Sequence, residues 1–184
     1  MFKLLVRLTE NNLLFLETVK SSMQVYFGSD QKRIDHALQV AGHARELLAY
    51  IDADPVVTLS AAYLHDIGIH EAERKHGSNS GYWQEIEGPS IAENLLTQIG
   101  ADPALIETVS NLVGSHHTPK GIDSPEFRIL WDADALVNFD DVLRDKPGEQ
   151  VLAILDRHMV TEAGYRTACR LYVDKGFRGG LHDP

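Results

Sequence analysis

Four residues of this chain make a set that could hold one divalent cation: His36, the adjacent pair His65 and Asp66, and Asp134. Imidazole nitrogen and carboxylate oxygen are the donors that borderline and hard divalent metals take, so the set admits Mn, Fe, Co, Ni, Zn or Mg. His65 and Asp66 close the apolar stretch Ala61-Ala62-Tyr63-Leu64 and precede Ile67-Gly68. Adjacent helical residues point about 100° apart, so both reach one ion only if it sits beside the helix end. The partial negative charge of a helix C-terminus favours a cation there. Asp132 and Asp134 compete for the last position. Phe127, Leu130, Asp134 and Val137 recur at spacings of three and four, which puts Asp134 in an apolar stripe, whereas Asp132 follows Arg128 by four and predicts a surface ion pair. A carboxylate on a buried face is costly unless paired or metal-bound, which selects Asp134.

A bound divalent cation polarises a phosphoryl oxygen and lowers the pKa of its water, so the simplest chemistry is hydrolysis of a phosphate ester or anhydride. Asp66 or the nearby Glu71 is the carboxylate expected to orient or deprotonate that water. Arg33, Arg74 and Lys75 are the basic residues closest in sequence to the ligand set, and both side-chain types bind phosphate oxygens.

The elements that must position these groups are helices. The spacing predicts one over Leu4–Tyr26, stopped at Gly28, and a second from about Gln31 to Ile51 capped by Ser29 or Asp30. Asp54-Pro55 opens a third that runs to His65 and Asp66. Residues 69–88 mix charge, glycine and serine without sustained periodicity and read as a long ordered loop with at most a helical turn; loops of that length usually serve function. Helices follow over Pro89–Ile99, from Asp102-Pro103 toward His116, from Ser124-Pro125 through Leu143, over Glu149–His158 and over Glu162–Lys175, before a frayed glycine-containing tail. The fold class expected is an all-α compact helical bundle formed by a single domain over residues 1–184. Its metal-binding core covers about residues 30–140, with the N-terminal helix 4–27 and the C-terminal helices 149–175 packed on it.

Composition supports one globular domain, with 43% hydrophobic and 24% charged residues. The formal charge of −10 disfavours a nucleic-acid polymer as partner, because phosphate backbones need basic stripes. No apolar run approaches the roughly 20 residues of a membrane span, and no signal-peptide core develops, so the expected location is cytoplasmic, with no membrane partner. The single Cys169 reads as a buried, inert thiol. Leu13, Leu14, Phe15 and Leu16 make the first helix apolar enough to cover the bundle or to contact a second subunit, a candidate homodimer surface.

The motifs Arg33-Ile34-Asp35-His36, Ala61-Ala62-Tyr63-Leu64-His65-Asp66-Ile67-Gly68 and Asp132-Ala133-Asp134-Ala135-Leu136 resemble those of the HD-domain superfamily of metal-dependent phosphohydrolases. The resemblance covers roughly residues 30–140 and is carried most specifically by the His-Asp-Ile-Gly element. It implies a small phosphorylated substrate, a nucleotide or a related metabolite. It also implies that His116 and His117 are candidates for a second metal or for a phosphate, as in binuclear members. Those members tend to carry a histidine four residues before a glycine, where this chain has Gln84 before Gly88; Glu85 or Glu87 is the candidate substitute ligand. The alternative function is a nucleotide-binding signalling module that keeps the metal site with little turnover. A third, metal-dependent oxygenation, needs two irons.

Overall fold

The computed structural model describes residues 8–118 and 122–174, and among them every regular element is helical. The expected helix start at Leu4 and the glycine-containing tail lie outside the described residues. α1 (Glu10–Phe27) begins where Thr9 caps the Asn12 N–H and ends at Gly28, whose φ of 60° favours glycine. Leu16, Val19, Met23 and Phe27 form its buried face, while Leu14 and Val25 are exposed, so this helix covers the bundle with one side only. α2 (Gln31–Leu47) starts at the cap Asp30 and buries Ile34, Ala37, Val40, Ala41, Ala44 and Leu47.

α3 (Pro55–Leu64) is the centre of the bundle. Asp54 accepts from the N–H groups of Val56 and Val57, Pro55 fits the first turn, and every residue from Thr58 to Leu64 is buried. A helix apolar all round must be surrounded, and α3 packs on α1, on α2, on α6 (Pro103–Val113) and on α7 (Pro125–Leu143). α6 and α7 are opened by the caps Asp102 and Ser124, each followed by proline, as the sequence predicts.

Residues 69–88 are not a loop. They form α4 (Ile69–His76) and the first half of α5 (Gly81–Gln98), with Pro89 inside that helix rather than at its start. The buried positions of α5 include Gln84, Glu87 and Gly88 along with Ala92 and Leu96, so no apolar stripe announces its first half. Packing against α4 and α6 outweighs the low helix propensity of glycine and proline. α8 (Gly148–His158) and α9 (Glu162–Ala168), continued by a π-helical turn over Cys169–Val173, pack on α7, and Arg170 of that turn reaches Glu46 of α2 at 3.3 Å. Cys169 is half-buried, and burial pushes its thiol pKa up, which keeps it protonated.

Asp132 corrects a second expectation. It has 0% exposure and does not pair with Arg128, which binds Asp123 at 2.6 Å instead. Its carboxylate accepts from the Val160 N–H at 2.9 Å, the Thr161 N–H at 3.0 Å and the Thr161 hydroxyl at 2.6 Å. α7 is covered on two sides, so two aspartates at opposed positions are both turned away from solvent. Asp132→Ala leaves buried donors without an acceptor and is expected to cost roughly 3 kcal/mol, with Asp132→Asn milder. Chemical denaturation of the two variants against the parent measures this.

Candidate metal centre

The end of α3 turns sharply: the Ile67 N–H donates to Leu64 O and the Ile69 N–H to Asp66 O, both at 3.0 Å. α5 can close against that turn because Gly68 has no side chain. A Cβ there would lie 2.6 Å from Gln84 O, 2.6 Å from Gly88 N and 2.8 Å from Gly88 Cα. The tight seam between the doublet and α5 aims His65 and Asp66 at α2 and α7.

His36, from α2, brings its Nε2 to 3.2 Å from the Nε2 of His65. Asp66 Oδ2 stands 3.5 Å from the first imidazole nitrogen and 3.6 Å from the second. From α7, Asp134 Oδ1 lies 3.1 Å from His36 Nε2 and 3.6 Å from His65 Nε2. Donor atoms bonded about 2.0–2.2 Å from one ion stand about 3.0–3.5 Å apart, which these spacings match closely.

The protonation pattern fits a cation as well. His65 Nδ1 donates to Ala62 O at 2.9 Å, so in the neutral ring Nε2 carries a lone pair. Asp134 Oδ1 is buried and has no hydrogen-bond partner, although two imidazole nitrogens face it. Imidazole nitrogens and carboxylate oxygens turned toward a common centre are the arrangement that a cation's ligand shell takes. His36, His65 and Asp66 thus form a group whose ligand atoms could hold a divalent metal, with Asp134 Oδ1 beside it at 3.1 Å from His36 Nε2.

A second group adjoins it. His116 Nε2 is 3.6 Å from Asp66 Oδ1, and His116, His117 and Asp66 offer ligand atoms within 4.8 Å of one another. His116 Nδ1 donates to Val113 O at 2.7 Å, and its buried Nε2 has no partner. The ring of His117 rests on Gly81, where an added Cβ would meet it at 2.4 Å. Glu85 and Glu87, the candidate substitute ligands, both have other partners. Glu85 accepts from the His117 N–H at 2.9 Å and from the Thr118 hydroxyl at 2.8 Å, which ties the histidine turn to α5. Glu87 is taken by Lys75 at 2.7 Å and His76 at 2.8 Å.

The cluster forms the floor of a cleft of about 360 Å³ whose lining includes Lys32, Arg33, His36, Asp66, His117 and Asp134. Arg33 thus reaches the site, but Glu71, Arg74 and Lys75 do not line it. Arg74 clasps Glu71 at 2.6 and 2.7 Å, Lys75 adds a contact at 3.0 Å, and these hydrogen bonds hold the Glu71 carboxyl well below the usual range. The three residues satisfy one another along one face of α4, as residues three and four apart on a helix do. Sequence reasoning missed Lys32, Asn79 and Asn138, which also line the cleft. Lys32 and Asn138 sit four residues from His36 and Asp134, one helical turn along the same faces, a signal that was available.

Burial alone would lower the pKa of His65, but the nearby carboxylates of Asp66 and Asp134 and the Ala62 carbonyl outweigh it and raise it from 6.5 to about 9 in the metal-free protein. Burial pushes the carboxyls of Asp66 and Asp134 up, yet the imidazoles around them bring both well below the ordinary value. The raised histidine contributes stability that is complete below pH 6.5 and is lost as pH rises through about 9. The lowered carboxyls contribute above their ordinary range and lose that contribution in strong acid. Because a metal competes with the proton for His65 Nε2, cation affinity is expected to rise over the interval in which metal-free stability falls. Thermal melts of chelator-treated protein and metal titrations across that interval test the two slopes.

With the fold and cluster described, comparison places the chain. The HD domain family model matches residues 33–138, and the chain belongs to that family. A crystal structure described as a predicted HD superfamily hydrolase, from an uncultured Thermotogales bacterium, is 26% identical with a TM-score of 0.59. The match covers 90% of this chain and 86% of that one. No curated protein matches. Among the described residues, no helix is long and apolar enough to cross a membrane.

Proposed function

We propose that this protein is a metal-dependent phosphohydrolase that cleaves a phosphate ester or anhydride of a nucleotide or related phosphorylated metabolite. The observation that carries this is the convergence of His36, His65, Asp66 and the unpartnered Asp134 Oδ1 at the floor of a cleft that also presents Arg33 and Lys32. The structural relative described as a hydrolase supports the same reading. A divalent cation in this cluster supplies Lewis acidity and a water of lowered pKa.

The chain's own groups divide the remaining work. Asp66 faces the two histidines of the first cluster through Oδ2 and His116 through Oδ1, so one carboxylate joins both groups. His116, with Nδ1 committed to Val113 O, offers Nε2 as an acceptor for a water proton or as a ligand in a second cation site with Asp66 and His117. Arg33 supplies a planar, permanently charged donor for phosphoryl oxygens, and Lys32 a compact charge beside it.

Elemental analysis of the purified protein, followed by phosphate-release assays on nucleoside mono-, di- and triphosphates, cyclic nucleotides and sugar phosphates, tests the reading. Turnover that Asp66→Ala abolishes is expected. Tight nucleotide binding without turnover would instead favour the signalling module, and uniform inactivity with a cation bound would overturn the hydrolase.

A further inference from the structure

The cleft above the cation cluster is walled by groups that suit one kind of phosphorylated molecule. Asn79, Gln84 and Asn138 present carboxamides to it. Ile69, one of its two aliphatic residues, is only 2% exposed, which leaves Val137 as the apolar surface; no phenylalanine, tyrosine or tryptophan is among the described lining residues, and the two rings that are, His36 and His117, belong to the candidate cation groups. A nucleobase is held by flat apolar or aromatic platforms against its faces, each stack contributing about 1–3 kcal/mol. The nearby aromatic pair on α5 does not provide one: neither Tyr82 nor Trp83 lines the cleft, and Trp83 is stacked on the His76 ring at 3.6 Å.

Gln84 adds a positive requirement. Its Nε2 donates to Asn79 O at 2.7 Å, which fixes the amide, and its Oε1 is buried without a partner. That oxygen needs a donor, which a phosphate dianion cannot supply and a hydroxyl can. At the rim, Glu73 Oε1 receives Arg33 at 3.5 Å and Asn79 at 3.3 Å. One carboxylate thus holds a phosphate-binding cation and a hydroxyl-binding amide side by side, on two separate elements.

We propose that the substrate is a polyhydroxylated phosphomonoester, a sugar or polyol phosphate, whose phosphate lies at the cation cluster beside Arg33 and whose hydroxyls are read by Asn79, Gln84 and Asn138. This rests on the hydrolase reading above. In the reaction, water oxygen bonds to phosphorus and the P–O ester bond breaks. The bonding pair leaves on the polyol oxygen, which takes the proton the water gives up, yielding the polyol and inorganic phosphate.

The test compares hexose, pentose and glycerol phosphates with nucleoside 5′-monophosphates and p-nitrophenyl phosphate on the metal-loaded protein. The best polyol phosphate is expected to exceed the best nucleoside monophosphate in kcat/KM by about tenfold or more, the value of roughly one well-made hydrogen bond. Asn138→Ala, at an exposed position, and Gln84→Leu should each narrow that ratio, chiefly through KM for the polyol phosphate. A preference for nucleoside monophosphates, or a ratio that neither variant moves, overturns the substrate assignment while leaving the hydrolase standing. Failure to turn over any of the three classes with cation bound overturns the substrate assignment, and overturns the hydrolase as well if nucleoside di- and triphosphates and cyclic nucleotides are also left intact.

Discussion

His36→Ala is expected to lower divalent-cation affinity by more than about 100-fold, because losing even an outer partner of a ligand costs about 10–100-fold and His36 is placed as a ligand itself. Its Nε2 makes only the 3.1–3.5 Å approaches to His65, Asp134 and Asp66 described above. Its side chain is 19% exposed at the cleft, so truncation opens no sealed cavity, and the metal-free fold loses mainly the 3.1 Å contact with Asp134. Calorimetric titration with zinc or manganese, alongside metal content as purified, reads the effect. Arg74→Ala is the matched control, since Arg74 is spent on Glu71 and lies outside the cleft. Parental cation content in His36→Ala would remove this residue from the ligand set.

The second large effect belongs to a residue with no functional group. Gly68→Ala places a methyl within 2.6 Å of backbone atoms on α5 that cannot rotate away. Overpacking of a tight core typically costs about 1–3 kcal/mol, and a clash against main chain belongs at or beyond the upper end. Relief requires the turn after α3 to move, and Asp66 is two residues away, so cation affinity should fall together with stability. Gly42→Ala gives the opposite sign: an added Cβ there meets nothing within 4 Å in the interior of α2, and removing a helical glycine gains roughly 0.5–1 kcal/mol. Denaturation curves for the two alanine variants should therefore move in opposite directions from the parent. Equal shifts would mean that the seam between Gly68 and Gly88 is looser than these distances state.

These variants also separate what was visible in the residues from what was not. His65-Asp66 could be found because a doublet after an apolar helix is a local pattern, and its chemistry follows from residue type. Helical phase singled out Asp134, whose Oδ1 lies 3.1 Å from His36 Nε2, but it also turned Asp132 outward, and Asp132 is fully buried. The reason given for setting Asp132 aside was wrong, since its partners are the backbone of residues 160 and 161 on a later segment. Glu71, Arg74 and Lys75 looked available near the doublet, but nearness in sequence does not show that both cations are spent on Glu71 and, from α5, on Glu87.

The order of residues by itself determined the helical class, the caps at Asp54, Asp102 and Ser124, and the cation-binding types, because capping, periodicity and donor chemistry act over a few residues. Tertiary structure alone decided that residues 69–88 are helical, that Asp132 is buried, and which charges reach the cleft. Glycine, proline and buried polar groups carry no apolar period of their own. Their conformation is set by the surfaces they meet, and those surfaces come from distant parts of the chain.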